Sequence, residues 1–429
     1  MLFIMHKKIT LENGLRIVLA PQPGNLAVTV SVLVEAGSKY ETKEINGISH
    51  FLEHMVFKGT QKRPSTLAIS SELDGIGASY NAFTSHEATG YFAKARSNHF
   101  EKILDVVSDV YLNPLFDSKE IEKERGVIIE EINLIEDQPY RRVWDVFTEL
   151  LYGDQPAGWR TIGQKENIQK ITREDFLNYR NNHYLPKSTV ITIAGNFDEQ
   201  KAVDEVKKHF SNFKIGEKNS KVKVVESQSE SRVSVKYKDS DQTHLVLGFR
   251  AFDVFDDRRY ALGILADILG GSMSSRLWQK VREQMGAAYY VRAGTDLSTD
   301  HGFFAVSAGV GNEKFELVLR AVLEELKKIR EEGVFNKEFN LAKEHIIGHL
   351  ILGLETSDDL AGFYGEQEIL ERKIEEPGEI IKKIEAVKES DIINVAKSIF
   401  QNNKMNLAFI GPFKKEEEEK FKEILNLSL

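Results

Sequence analysis

At 429 residues, 41% hydrophobic and 29% charged, the chain is long enough for two or three domains with their own cores and too apolar to be disordered. A net charge of −9, from 57 Lys and Arg against 66 Asp and Glu, excludes a nucleic-acid binder working through a basic face. With no cysteine there is no disulfide framework, thiolate metal site or cysteine nucleophile, and no apolar run reaches the roughly 18 residues of a membrane span. The opening Met1-Leu2-Phe3-Ile4-Met5-His6-Lys7-Lys8 lacks the basic lead, long apolar stretch and small-residue cleavage site of a secretory leader, so a soluble cytoplasmic chain is expected.

Short β-type runs at Lys8 to Thr10, Arg16 to Leu19 and Val28 to Val34 open the chain, with Asn13-Gly14 as a hairpin turn between the first two. A helix is predicted from Ile48 to about Phe57, closed by Lys58-Gly59, and another from Pro64-Ser65 to Leu73, closed by Gly75 and Gly77. Paired strands follow at Ser79 to Thr84 and Ala88 to Ala95. Two long helices come next, His99 to Leu112 and Ser118 to Glu136, the second with capping-box spacing from Asp117 to Glu120. A strand at Thr189 to Ala194 and a helix at Glu199 to Phe210 end the first half. The Lys/Glu/Ser-rich run Lys214 to Arg232 reads as a linker.

The second half repeats this plan. Ala88-Thr89-Gly90-Tyr91-Phe92-Ala93 has a counterpart in Asp300-His301-Gly302-Phe303-Phe304-Ala305, and Phe116-Asp117-Ser118-Lys119-Glu120 in Phe335-Asn336-Lys337-Glu338-Phe339. The offset, 215 from Phe100 to Phe315 and 219 from Phe116 to Phe335, is far too long for a solenoid and fits a duplicated domain. The expected fold is α+β. Two homologous domains, 1–215 and 232–429 with a linker at 216–231, each combine a largely antiparallel sheet with packed helices.

The helix after Gly47 carries His50-Phe51-Leu52-Glu53-His54. Histidines four apart share a helix face, so both imidazoles reach one ion, with Glu53 beside them. This is the inverted zinc-protease signature: the ion acidifies water and the carboxylate next to the second histidine takes its proton. Such a site needs a third protein ligand and one open position. The helix after Asp117 offers Glu124 and Glu131 on one face, two turns apart, with Glu130 rotated by about 100°. That face supplies a ligand carboxylate and a second carboxylate able to orient a histidine.

Further segments accompany these: Gly47-Ile48-Ser49 ahead of the motif and Met55-Val56-Phe57-Lys58-Gly59-Thr60 behind it, Asn81-Ala82-Phe83-Thr84, Glu124-Arg125, Gly158-Trp159-Arg160-Thr161-Ile162-Gly163, and Gly270-Gly271-Ser272-Met273-Ser274-Ser275-Arg276-Leu277. With them the sequence resembles, over nearly its whole length, the pitrilysin/insulinase-type inverzincin metallopeptidases, in particular the half-length branch that includes mitochondrial processing peptidase. The resemblance implies one zinc ion per chain held by His50, His54 and Glu131, Glu53 as general base, and Glu124 as the carboxylate behind a histidine. It selects Glu131 over Glu130 through the seven-residue spacing from Glu124. It also places Asn81 and Ala82 on an edge strand that pairs with substrate backbone.

The resemblance extends to Arg282 and Tyr289, likened to a pair facing the zinc across a closed chamber. The guanidinium would hold a substrate carbonyl or carboxylate, and the phenol would donate to the tetrahedral oxyanion. Tyr290 competes for the tyrosine's place. Each chain would form half of a clamshell, so a homodimer is expected in which Arg282 and Tyr289 of one subunit serve the zinc of the other.

The expected function is a zinc-dependent endopeptidase that cleaves peptides or unfolded segments held extended. The competing class is a non-proteolytic structural or core subunit of a larger complex, against which the intact Glu53 argues, since a scaffold needs no base. A small-molecule hydrolase suits the edge strand less well than a peptidase does. With the 219 offset Glu131 falls on Leu350, so the second domain reads as a degenerate copy. There His345-Ile346-Ile347-Gly348-His349 again sets histidines four apart, with glycine in place of the base, and reads as a pair of ordinary helical histidines. His86-Glu87, in the turn after Thr84, reads as lining the cleft without binding metal.

Overall fold

The computed structural model describes residues 6–426; Met1 to Met5, read above for a leader, lie outside the described residues. Among the described residues no helix is long and apolar enough to cross a membrane. The chain forms two compact units. The first takes the chain up to Ile132 together with Arg160–Val222 and Ile351–Gly378; the second takes Asn133–Trp159, Lys223–Leu350 and the chain from Glu379.

The sheet of the first unit uses β1 (Lys7–Thr10), β2 (Arg16–Pro21), β3 (Ala27–Val34), β4 (Ser79–Thr84), β5 (Thr89–Arg96) and β6 (Thr189–Gly195), in the order β1-β2-β6-β3-β5-β4. The β1–β2 hairpin turns at Gly14, whose φ of +88° is the left-handed conformation the Asn-Gly signal anticipates. All pairings are antiparallel except β2 with β6. Central β3 alternates Val28, Val30, Val32 and Val34 with Thr29, Ser31 and Leu33, and all seven are buried, so both faces of the sheet are covered.

Helix Phe100–Leu112 packs on β3 and β5 through Ile103, Leu104, Val107 and Val110. Helix Ser357–Glu366 covers β3 and β6, where Thr29 Oγ1 and Ser357 Oγ share a hydrogen bond of 2.8 Å. The approach is close enough that a Cβ on Gly365 would stand 2.5 Å from Leu33 Cδ1.

The second unit uses β7 (Arg232–Tyr237), β8 (Gln242–Ala251), β9 (Ala288–Leu297), β10 (Gly302–Gly311) and β11 (Met405–Gly411), in the order β7-β11-β8-β10-β9. This repeats β2-β6-β3-β5-β4, down to the one parallel pair, β7 with β11. The duplication read from the sequence is therefore a duplication of topology, with helices Arg259–Gly270 and Asn336–Leu352 standing where Ile48–Met55 and Ser118–Asp137 stand in the first unit.

Helix Pro139–Tyr152 packs on β8 and β11, burying Val143, Val146, Phe147 and Leu151 against Val246, Ala408 and Ile410. The apolar stripe of this helix, at i, i+3, i+4 and i+8, is what draws it to the second sheet. Segments from both sides of the 216–231 stretch thus cross over in unit membership: Asn133–Trp159 to the second unit and Ile351–Gly378 to the first.

Candidate active site

The motif helix, Ile48–Met55, starts from Gly47 with φ of +100°, where a Cβ would meet Ile162 O at 2.8 Å. No N-cap side chain serves its first turn. Instead the buried Glu41 carboxylate accepts from the Gly47 and Ser49 amides, both at 2.8 Å, and from Asn46 Nδ2 at 2.9 Å. Burial pushes Glu41 up to about 7 against those hydrogen bonds. Ile48, Phe51, Leu52 and Met55 are buried, with Phe51 edge-on to Phe176 at 4.9 Å, which leaves His50, Glu53 and His54 on the half-buried side.

Helix Ser118–Asp137 buries Ile121, Glu124, Ile128 and Ile132. The same face brings Glu131 to the histidines, while Glu130 points to solvent. Glu131 Oε2 lies 3.7 Å from His50 Nε2 and 3.8 Å from His54 Nε2. The two imidazole centroids are 4.7 Å apart. Among the described residues this is the one cluster of three or more such groups whose ligand atoms all lie within 4.8 Å of one another.

These separations exceed hydrogen-bond length. Three ligands bound at 2.0–2.1 Å around a tetrahedral ion would stand about 3.4 Å apart, close to what is seen. Two imidazoles and one carboxylate are a borderline-soft donor set that suits zinc. The residues fit the ion.

Charge is arranged around the cluster. Burial, and then the neighbouring His54, push the His50 imidazole down to about 3, so it stays neutral and able to donate its lone pair. Burial also disfavours charge on His54, but the Glu124 hydrogen bond and the charges of Glu124, Glu53 and Glu131 outweigh it and raise the pKa. That bond joins His54 Nδ1 to Glu124 Oε1 at 2.8 Å and leaves Nε2 facing Glu131. Glu124 Oε2 meets Lys58 Nζ at 2.6 Å; together His54 and Lys58 overcome burial and lower the Glu124 carboxyl. Glu53 is raised, chiefly by burial, and accepts a 2.6 Å hydrogen bond at Oε2 from Thr84 Oγ1.

Thr84 ends β4, the edge of its sheet, with no strand outside it among the described residues. Asn81 and Ala82 lie on that strand, Asn81 exposed and Ala82 partly so. His86 shares a hydrogen bond of 2.9 Å with Ser38 Oγ. Lys58, Thr84 and Glu41 are the polar partners not singled out in the sequence. Lys58 reads there as a helix-end cation, and Thr84 as the last residue of a strand.

Arg282 and Tyr289 belong to the second unit and meet each other there. Arg282 lies on a π-helical stretch, Trp278–Gln284, donates to Tyr289 O, and stacks over the Trp278 ring at 4.5 Å and the Tyr289 ring at 5.5 Å. Tyr289 is 75% exposed. Tyr290 points the other way, bonding His244 Nδ1 at 3.1 Å, and burial pushes its phenol up to about 12.

A family model described as Insulinase (Peptidase family M16) matches residues 16–165, and one described as Peptidase M16 inactive domain matches 170–346. The chain belongs to peptidase family M16. His50, Glu53, His54, Glu124 and Glu131 fall inside the first M16 match, and Arg282 and Tyr289 inside the second. The chain is 36% identical over 408 residues to the protein named uncharacterized zinc protease YmxG of Bacillus subtilis, covering 95% of this chain and 98% of that one. Among solved structures, a protease from Helicobacter pylori superposes with a TM-score of 0.91 at 25% identity, over 96% of this chain and 100% of that one. A chain of complex III2 from Candida albicans shares the fold at 18% identity, with a TM-score of 0.83 over 98% and 99% of the two chains.

Proposed function

We propose that this M16 chain is a zinc-dependent endopeptidase acting on peptides or unfolded segments in extended form. The observation that carries the reading is the convergence of His50, His54 and Glu131, with Glu53 held beside them. Relatives named zinc proteases support the same metal. His50, His54 and Glu131 would hold one zinc ion per chain, which when bound supplies Lewis acidity and brings the pKa of water toward about 7.

Thr84 occupies Glu53 Oε2, so Oε1 is the oxygen that takes the proton from water and returns it to the leaving amine. The raised pKa of Glu53 suits a group that must both take and give that proton. Glu124 fixes the His54 ring. The open side of β4 at Asn81 and Ala82 would pair with substrate backbone, which favours extended peptides over compact ligands.

Arg282 and Tyr289 would stabilise the oxyanion at the zinc of a second copy, in a homodimer whose subunits each contribute half of a closed chamber. The exposure of Tyr289 and its stacking with Arg282 suit that use. In this scheme residues 1–215 are the catalytic half and 232–429 its degenerate copy. The competing reading, a structural subunit, draws on the likeness to a complex III2 chain, which extends to fold only; the retained Glu53 stands against it.

Glu53→Gln should abolish chelator-sensitive cleavage of a peptide library while leaving zinc content intact. Mixing Glu53→Gln with Arg282→Ala protein should restore part of the activity through one intact site per mixed dimer. Zinc bound stoichiometrically with no library peptide cleaved would favour the structural reading.

A further inference from the structure

The second unit holds a pair of histidines that the proposed chemistry does not use. His345 and His349 lie four apart on helix Asn336–Leu352, with ring centroids 4.4 Å apart, against 4.7 Å for His50 and His54. The surroundings match more closely than the spacing alone. His345 Nδ1 bonds Asp267 Oδ1 at 2.7 Å, as His54 Nδ1 bonds Glu124 Oε1 at 2.8 Å. In each case the carboxylate comes from a neighbouring helix, here Arg259–Gly270.

Asp267 is built into place. Its side chain is 10% exposed, its Oδ2 is buried with no hydrogen-bond partner, and a Cβ on Gly271 would stand 2.1 Å from its Oδ1. An ionised carboxylate only accepts, so in the neutral ring the bond to Asp267 keeps the proton on Nδ1 and the lone pair on Nε2, the ring standing 4.4 Å from that of His349. That is how a protein prepares an imidazole to bind a metal. The ligands differ in origin from those of the first unit. There the histidines lie on Ile48–Met55 and the orienting carboxylate on the later long helix; here the assignment is reversed.

We propose that His345 and His349 form a second site for a divalent transition metal, oriented by Asp267 and separate from the candidate active site. Gly348 stands where Glu53 stands in the first motif, and among the described residues no third His, Asp or Glu ligand atom clusters with the pair, so the site has neither a base nor a third ligand of its own. It binds weakly and exchangeably, and it does not hydrolyse peptides.

The test is calorimetric titration of the full-length protein, loaded with one equivalent of zinc, with Ni²⁺ as the probe. One further equivalent of Ni²⁺ should bind. His349→Ala, at an exposed position, should remove that equivalent and leave the zinc in place. Asp267→Asn should weaken Ni²⁺ about 10- to 100-fold. Equal Ni²⁺ stoichiometry in wild type and His349→Ala, or unchanged affinity in Asp267→Asn, overturns the proposal.

Discussion

Replacing Glu124 by Gln asks whether the carboxylate behind His54 sets the metal affinity of the His50–His54–Glu131 cluster. Glu124 receives His54 Nδ1 on one oxygen at 2.8 Å and Lys58 Nζ on the other at 2.6 Å. An amide has one acceptor oxygen. Turned to His54 it presents its NH₂ to an ammonium; turned to Lys58 it leaves the imidazole without an acceptor. Either way a charge-assisted bond is lost. Removing such a partner from a ligating histidine costs about 10–100-fold in affinity, or about 1.4–2.7 kcal/mol.

The pH dependence carries a sign. Burial lowers the His54 pKa, but Glu124 with Glu53 and Glu131 outweighs it, so the value lies above the ordinary 6.5. A proton on His54 competes with metal, and wild-type affinity should fall as the pH drops through that raised value. Without the Glu124 charge the imidazole protonates at lower pH, so proton competition begins later. The deficit of the variant should therefore be full near about pH 8 and shrink toward about pH 6. Competition against a chromophoric chelator at both pH values reads it. Equal affinities near pH 8, or a deficit that widens on acidification, would refute the reasoning.

Thr84→Val, which removes the hydroxyl from Glu53 Oε2, should lower kcat roughly 10–100-fold while KM and zinc content hold, and Thr84→Ser should restore it. Steady-state kinetics on a quenched fluorescent peptide checks this; an unchanged kcat counts against the contact. Arg63 is 1% exposed and its guanidinium meets Glu72, Asp105 and Asp109 at 3.0, 2.6 and 2.8 Å. Arg63→Met leaves buried Asp109 without this cation and should cost about 3–5 kcal/mol in urea unfolding. Burial pushes His183 down to about 4 between the Tyr40 and Tyr179 rings. The unfolded chain then binds the extra proton between about pH 6.5 and 4, so stability falls as the pH drops through that window, by about 3 kcal/mol at most. His183→Phe should flatten that limb of a midpoint-versus-pH curve relative to wild type.

Much of this architecture is legible in the sequence because its signals are local. The β-branched alternation of Val28 to Val34, the Asn13-Gly14 turn and the capping Ser65, whose Oγ accepts from the Ala68 amide at 3.2 Å, each depend on neighbours a few residues away. The motif pair His50 and His54 is local for the same reason. What escapes the sequence is set by distant partners. The stripe Val143, Val146, Phe147 and Leu151 declares a helix, but its target strands β8 and β11 lie far along the chain. Thr84 acquires its role through Glu53, 31 residues away, and Lys58 through Glu124 on another helix. Neither hydroxyl nor ammonium differs, as a letter, from an ordinary strand end or helix end.

The crossed memberships of Asn133–Trp159 and Ile351–Gly378 bear on how this gene product can be dissected. A break in the 216–231 stretch would yield an amino-terminal fragment whose β3 and β6 lack the Ser357–Glu366 cover, and a carboxy-terminal fragment whose β8 and β11 lack Pro139–Tyr152. Each piece would bare a strip of sheet that the other piece was synthesised to clothe. Soluble expression of the two halves should therefore require their co-production, and a boundary drawn by linear position alone is the wrong place to truncate.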